Sequence, residues 1–154
     1  MTNNLFFAET SAAGDQSCVV PFYLTGETSG QSAPLIRGRL VRLFSPAASI
    51  LSRHAYPDSV SAVCAEMMGL AACLSTTLKF EGVFTVQAKG DGAVKTLFAD
   101  VTSDGHIRSY AAFDDQQADQ LNASGSAVMP RLMGSGYIAF TVDQAAACLL
   151  YTSP

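Results

Sequence analysis

The stretch Leu78–Phe113, LKFEGVFTVQAKGDGAVKTLFADVTSDGHIRSYAAF, decides the fold. It holds two tight-turn signals, Gly90-Asp91-Gly92 and Asp104-Gly105, each flanked by runs rich in β-branched and aromatic residues. That pattern specifies a three-stranded antiparallel meander. In the first strand Phe84, Val86 and Ala88 alternate with Val83, Thr85, Gln87 and Lys89, so one face is core and the other more polar. The second strand, Ala93 to Val101, alternates less cleanly. Val94 and Phe98 share a face and Leu97 opposes them, so the strand is either covered on both sides or presents an apolar patch.

Upstream of the meander, apolar residues recur at helical spacing from Asp58 to about Leu78: Val60, Val63, Cys64, Met67, Leu70, Ala71, Leu74 and Leu78. Glu66 is the only charge between Asp58 and Lys79. The segment is nearly long enough to span a bilayer. Its Ala, Ser and Thr content, with Gly69 and Glu66 inside, instead favours a helix buried by sheets. Ser45-Pro46 opens a shorter helix running to about His54, since serine suits the N-cap and proline the first turn. Leu35–Phe44 reads as a strand in which Gly38 marks a bulge or a close backbone approach. Val19–Leu24 reads as a second strand, placed at an edge by Pro21, and Thr25–Ala33 as a Gly/Ser/Thr-rich loop. Residues 114–126 form a polar loop or frayed helix, and Gly134-Ser135-Gly136 leads into a last strand, Tyr137–Val142. The expected class is α+β: an antiparallel β-meander and further strands packed on a long buried helix.

The chain has 154 residues, 49% of them hydrophobic and 14% charged, which fits one domain with a substantial core. Its net charge of −4 and scattered basic residues argue against a nucleic-acid partner. Arg37, Arg39 and Arg42 fall on one strand and read as a solvated face. The start, MTNNLFFAET, lacks a basic region and a long apolar run, so a cytoplasmic location is expected and a membrane role is not. Cys18, Cys64, Cys73 and Cys148 make no C-x-x-C pair and no zinc spacing. Cys64 and Cys73, about 2.5 turns apart on the helix, face opposite ways and cannot bridge.

Catalytic and cofactor motifs come up short. Gly90-Asp91-Gly92 is followed by no Gly-Lys-Ser/Thr, and Gly134-Ser135-Gly136 precedes a strand rather than a helix. His54 closes a helix and His106 follows a turn, and no serine sits in a nucleophile elbow. The aspartates lie mostly at turns, with Asp100 within a strand as a satisfied polar residue. No catalytic, cofactor or metal residue is assigned.

The residues do carry a resemblance. Arg37–Leu43 (RGRLVRL), Ile50–Pro57 (ILSRHAYP), Leu78–Gly82 (LKFEG), Gly90–Gly92, Ala99–Gly105 (ADVTSDG) and Gly134–Gln144 (GSGYIAFTVDQ) follow one another in fixed order. In that order they resemble the N-terminal core domain of the redox-regulated thirty-three-kilodalton heat-shock chaperone family, over residues 36–144. The resemblance implies an ATP-independent holdase that binds unfolded client proteins under oxidative stress and dimerises when active. The family's zinc site, with four cysteines, lies in a separate C-terminal domain, so no cofactor is expected in this chain. On this basis residues 1–33 form an N-terminal edge segment and loop, and residues 34–144 an incomplete core domain. Residues 145–154, ending AAACLLYTSP, form a tail unlike the family. Phe84, Val86, Leu97 and Phe98 on the meander are the candidate client-binding residues. Two other readings fit the same residues: a small enzyme joining His54 or His106 to a carboxylate, and an inactive fragment lacking its last core elements.

Overall fold

The computed structural model describes residues 17–28, 31–123 and 128–144. In chain order these form β1 (Cys18–Thr28), β2 (Gln31–Arg42), α1 (Ser45–Leu51), α2 (Asp58–Ser75), β3 (Gly82–Gly90), β4 (Val94–Thr102), β5 (Ile107–Phe113), α3 (Asp115–Ala123), α4 (Met129–Met133) and β6 (Gly136–Gln144). The strands make a two-stranded antiparallel hairpin, β1-β2, and a four-stranded antiparallel sheet in the order β5-β4-β3-β6. The class is α+β, as expected.

The meander folds as its turns dictate, and its inner face is one cross-strand layer. Phe84 lies opposite Val101, Val86 opposite Ala99, and Ala88 opposite Leu97. All six are buried. The second strand departs from simple alternation. Val94 pairs with Phe113 and Thr96 with Ala112, which leaves Lys95 as an extra residue in a β-bulge. The bulge rotates Val94 to the buried side with Leu97, so Val94 and Phe98 do not share a face.

Helix α2 lies against this inner face and receives β2 on its other side. Val60, Val63, Cys64, Met67, Met68, Ala71 and Ala72 are its buried residues, together with two serines. By length and composition α2 could cross a membrane, yet half of it is buried inside the fold, as suits a core helix. Leu70, expected on the buried stripe, is exposed instead. At Gly69 the hairpin comes close, with Val41 ordinary van der Waals distance from where a side chain would begin.

The hairpin is longer than the sequence suggests. Residues Thr25–Thr28 and Gln31–Ala33, expected as loop, are paired, because the ladder carries the chain past its weak local preference. The register shifts between Leu24 and Thr25, opposite Leu35, and not at Gly38. Gly38 is instead the close approach: the outer atoms of the Phe22 ring occupy the space beside it, and any side chain there would collide with the ring. Strand β1 pairs along its length with β2, so the hairpin spans the boundary drawn between residues 33 and 34. The segment after β5 resolves into α3 and the short α4, which carries Pro130 in its first turn.

The two glycine motifs meet. Asp91 accepts a hydrogen bond from the Ser135 backbone N–H through Oδ1 at 2.7 Å and donates its own N–H to the Ser135 carbonyl at 3.0 Å. The Gly92 N–H donates to the Met133 carbonyl at 2.9 Å. A Cβ at Gly90 would strike the Met133 carbonyl oxygen, and one at Gly136 the Lys89 carbonyl oxygen. Gly134 also needs φ of +67°. Glycine is thus required on both sides of a backbone clasp that seats β6 against β3.

Candidate client-binding surfaces

The four candidate residues on the meander divide. Phe84 exposes 2% of its surface and Val86 and Leu97 none, because α2 covers the face on which they lie. Their place is in the core, and they offer a client no surface in this fold. Phe98 alone faces outward, half-buried between Tyr110, with ring centroids 5.9 Å apart, and the Arg108 guanidinium. That outer face is otherwise polar. Asp100 is buried there, accepting hydrogen bonds from Thr85 Oγ1 at 2.6 Å and Arg108 Nε at 2.5 Å, which satisfies its carboxylate.

The large exposed apolar surface lies on the hairpin. Val20, Phe22 and Leu24 of β1 stand opposite Leu40, Gly38 and Ile36 of β2, on the face turned away from α2. The five side chains are between 41% and 58% exposed. Val19 and Val41 take the opposite face and pack into the core, and Arg39 there donates to Thr76 Oγ1 at 3.1 Å. Alternation therefore separates Arg37 and Arg39 from Arg42, which sits 5.0 Å over the Phe44 ring, and the arginines form no common face. The signal was present in the sequence: apolar residues at 20, 22 and 24, two apart on β1, and at 36 and 40 on either side of Gly38 on β2.

A second apolar strip continues the core layer outward. Ile138, Phe140 and Val142 of β6 lie opposite Ala88, Val86 and Phe84, on the same inner face of the sheet. Here α2 no longer covers them, and all three are exposed. Phe140 stacks on Phe84 at 6.5 Å with the ring planes 13° apart.

Polar groups assemble no catalytic centre among the described residues. His106 and Asp104 approach to 3.4 Å across the β4-β5 turn, but both side chains are about two-thirds exposed. The Thr102 hydroxyl, donating to Asp104, holds that carboxyl below the usual range, and His106 adds a smaller effect in the same direction. His54 follows α1 and stacks on Tyr56 at 4.6 Å. A cleft of about 560 Å³ opens at the C-terminal end of α2, lined by Thr76, Lys79, Glu81, Thr102 and Gln144 among others. Its two charged residues are exposed to solvent. No group of three His, Cys, Asp or Glu side chains among the described residues is placed to hold a metal ion.

Cys18, Cys64 and Cys73 are free thiols, and Cys148 lies outside the described residues. Burial pushes the Cys64 thiol up to about 11 from 9.0, against a smaller opposing effect of Ser109. Two pH units remove about 99% of its thiolate at neutral pH relative to an ordinary thiol. Maleimide labelling of the folded chain is therefore expected to reach Cys64 last, about a hundredfold or more slower than in denaturant. Equal rates in both conditions would contradict the buried placement.

The described residues thus form a small α+β domain with open apolar faces and no assembled catalytic centre. Residues 31–153 match the family described as Hsp33 protein. The chain belongs to the Hsp33 family. It is 38% identical over 112 residues to the 33 kDa chaperonin of Caulobacter vibrioides, covering 71% of this chain and 36% of that relative. The 33 kDa chaperonin of Ectopseudomonas mendocina is 37% identical over 108 residues, 70% of this chain and 35% of the relative. That of Pseudomonas fluorescens Pf-5 is 36% identical over 107 residues. These relatives carry a chaperone's name and not an enzyme's. The chain spans about a third of the length of the relatives it matches. The match runs to residue 153, through most of the segment that the sequence reading sets apart as a tail.

Proposed function

We propose that this chain is the client-binding core of an ATP-independent holdase chaperone that captures unfolding proteins under oxidative stress. The observation that carries the reading is the apolar patch on the outer face of the hairpin, Val20, Phe22, Leu24, Ile36 and Leu40, with Arg42 at its end. Monomeric domains rarely leave so contiguous an apolar face open without using it. Burying about 400 Å² of it against a client would contribute about 10 kcal/mol gross. Loss of translational and side-chain freedom offsets roughly half or more of that, leaving reversible adhesion. Reversibility is what a holdase without a nucleotide cycle requires.

In this proposal oxidation is sensed by the zinc site of the family's C-terminal domain, and Cys64, buried and poorly ionised, takes no part in the switch. Action in the cytoplasm and dimerisation on activation belong to the same proposal and rest on kinship. The chain, free of nucleotide, is expected to suppress light scattering from a thermally unfolding enzyme. Ile36→Ser with Leu40→Ser should weaken suppression several-fold while the melting temperature stays within about 3 °C, since both side chains are exposed. A folded chain that suppresses nothing at several-fold molar excess would sink the proposal.

A further inference from the structure

Residues 52–57 join α1 to α2, and one side chain fastens them to β5, the strand at one end of the described sheet. The Tyr56 hydroxyl accepts the Ala111 backbone N–H at 3.1 Å, so a side chain satisfies a donor that a neighbouring strand would otherwise take. The Tyr56 ring meets Phe113 edge-on at 5.7 Å and stacks on His54 at 4.6 Å with the planes 8° apart. His54 in turn meets Tyr110 edge-on at 6.2 Å. Phe113, Tyr56, His54 and Tyr110 thus make one run of rings along β5.

Tyr56 packs against the core where the core side chains are small. Ser109 and Ala111 of β5 and Cys64 of α2 are all buried there, with Ser109 beside the Cys64 thiol. Tyr56 lies close enough to Cys64 for their charges to interact, so its ring closes the seam between α2 and β5. Little else holds the segment down. Residues 52–55 are exposed, Tyr56 is half-buried, and residues 55–57 belong to neither helix nor strand. A segment with so few buried contacts opens at a lower free energy than the core it covers.

We infer that residues 52–57 are a latch: they swing away from β5 while α2 and the sheet stay folded, and one opening frees the Ala111 N–H and the Cys64 thiol together. Closed, the latch withholds a backbone donor at a sheet margin and a fully buried thiol from other chains and from reagents. Its equilibrium sets how often the folded domain presents either one. The latch is independent of the client-binding reading, since it concerns one segment and β5 rather than what adheres to the hairpin.

The test follows amide exchange by NMR and iodoacetamide labelling of Cys64, located by peptide mass, in the folded chain at rising urea below the unfolding transition. Exchange at Ala111 and labelling at Cys64 are expected to be nearly independent of urea, because opening the latch exposes little surface. The Val86 amide, in a strand paired on both sides, should exchange only through global unfolding and accelerate steeply with urea. Tyr56→Phe keeps the ring and removes the acceptor. It should speed Cys64 labelling about fivefold and Ala111 exchange at least as much, with both still independent of urea. If that variant fails to fold, His54→Ala at an exposed position removes the stacked ring instead and should speed both. Urea dependence at Ala111 and Cys64 as steep as at Val86 overturns the inference, because nothing then opens short of global unfolding. A variant that speeds Ala111 and leaves Cys64 unchanged also overturns it, because the two are then not freed by one motion.

Discussion

Gly136→Ala is expected to lower the free energy of unfolding by about 3 kcal/mol or more, read from the shift of the denaturant midpoint. The added methyl would be driven into the Lys89 carbonyl, with the Gly90 Cα close behind it. Neither atom is the end of a flexible side chain, so relief requires β3 and β6 to separate at their first pair. The neighbouring Ser135→Ala is the control. Ser135 contributes its backbone to the clasp and its side chain is exposed, so the change should stay within about 0.5 kcal/mol. A loss below about 1 kcal/mol at Gly136 would mean that the two turns do not touch as described.

Leu97→Ala should cost about 3–5 kcal/mol, and Phe98→Ala about 1 kcal/mol. The two are adjacent in sequence and both large, yet Leu97 is sealed under α2 while Phe98 faces outward. Truncating Leu97 leaves a cavity whose walls, the sheet and α2, cannot close on it. Truncating Phe98 removes contacts with Tyr110 and Arg108 that water can replace. Comparable costs at the two sites, measured by urea unfolding at one protein concentration, would show that α2 does not cover the inner face of β4.

The meander, the core helix and the α+β class were legible because each rests on local signals: two turns, strict alternation in β3, and helical spacing through α2. What escaped the sequence was set by distant contacts. The bulge at Lys95 reversed the facing of Val94, and nothing in Ala93–Val101 announces it. Each glycine motif alone resembles an incomplete nucleotide loop, whereas their role is to approach each other. Phe84, Val86 and Leu97 stood out as apolar residues on strands, but alternation identifies a face without saying which face the helix covers. The hairpin's open face was written as plainly as the meander. The proline at 21 and the Gly/Ser run from Thr25 interrupt that alternation with signals of an edge and a loop.

The clasp also orders the assembly of the sheet. Asp91 and Ser135 are 44 residues apart, while β3, β4 and β5 are joined by short turns. Local pairings form at lower loop-closure cost, so the meander precedes β6 in folding. During synthesis β3 therefore stands as an unfinished outer strand until residues 136–144 have emerged. Over that interval Phe84 lacks its stacking partner, and the chain is itself an aggregation-prone species of the kind it is proposed to hold.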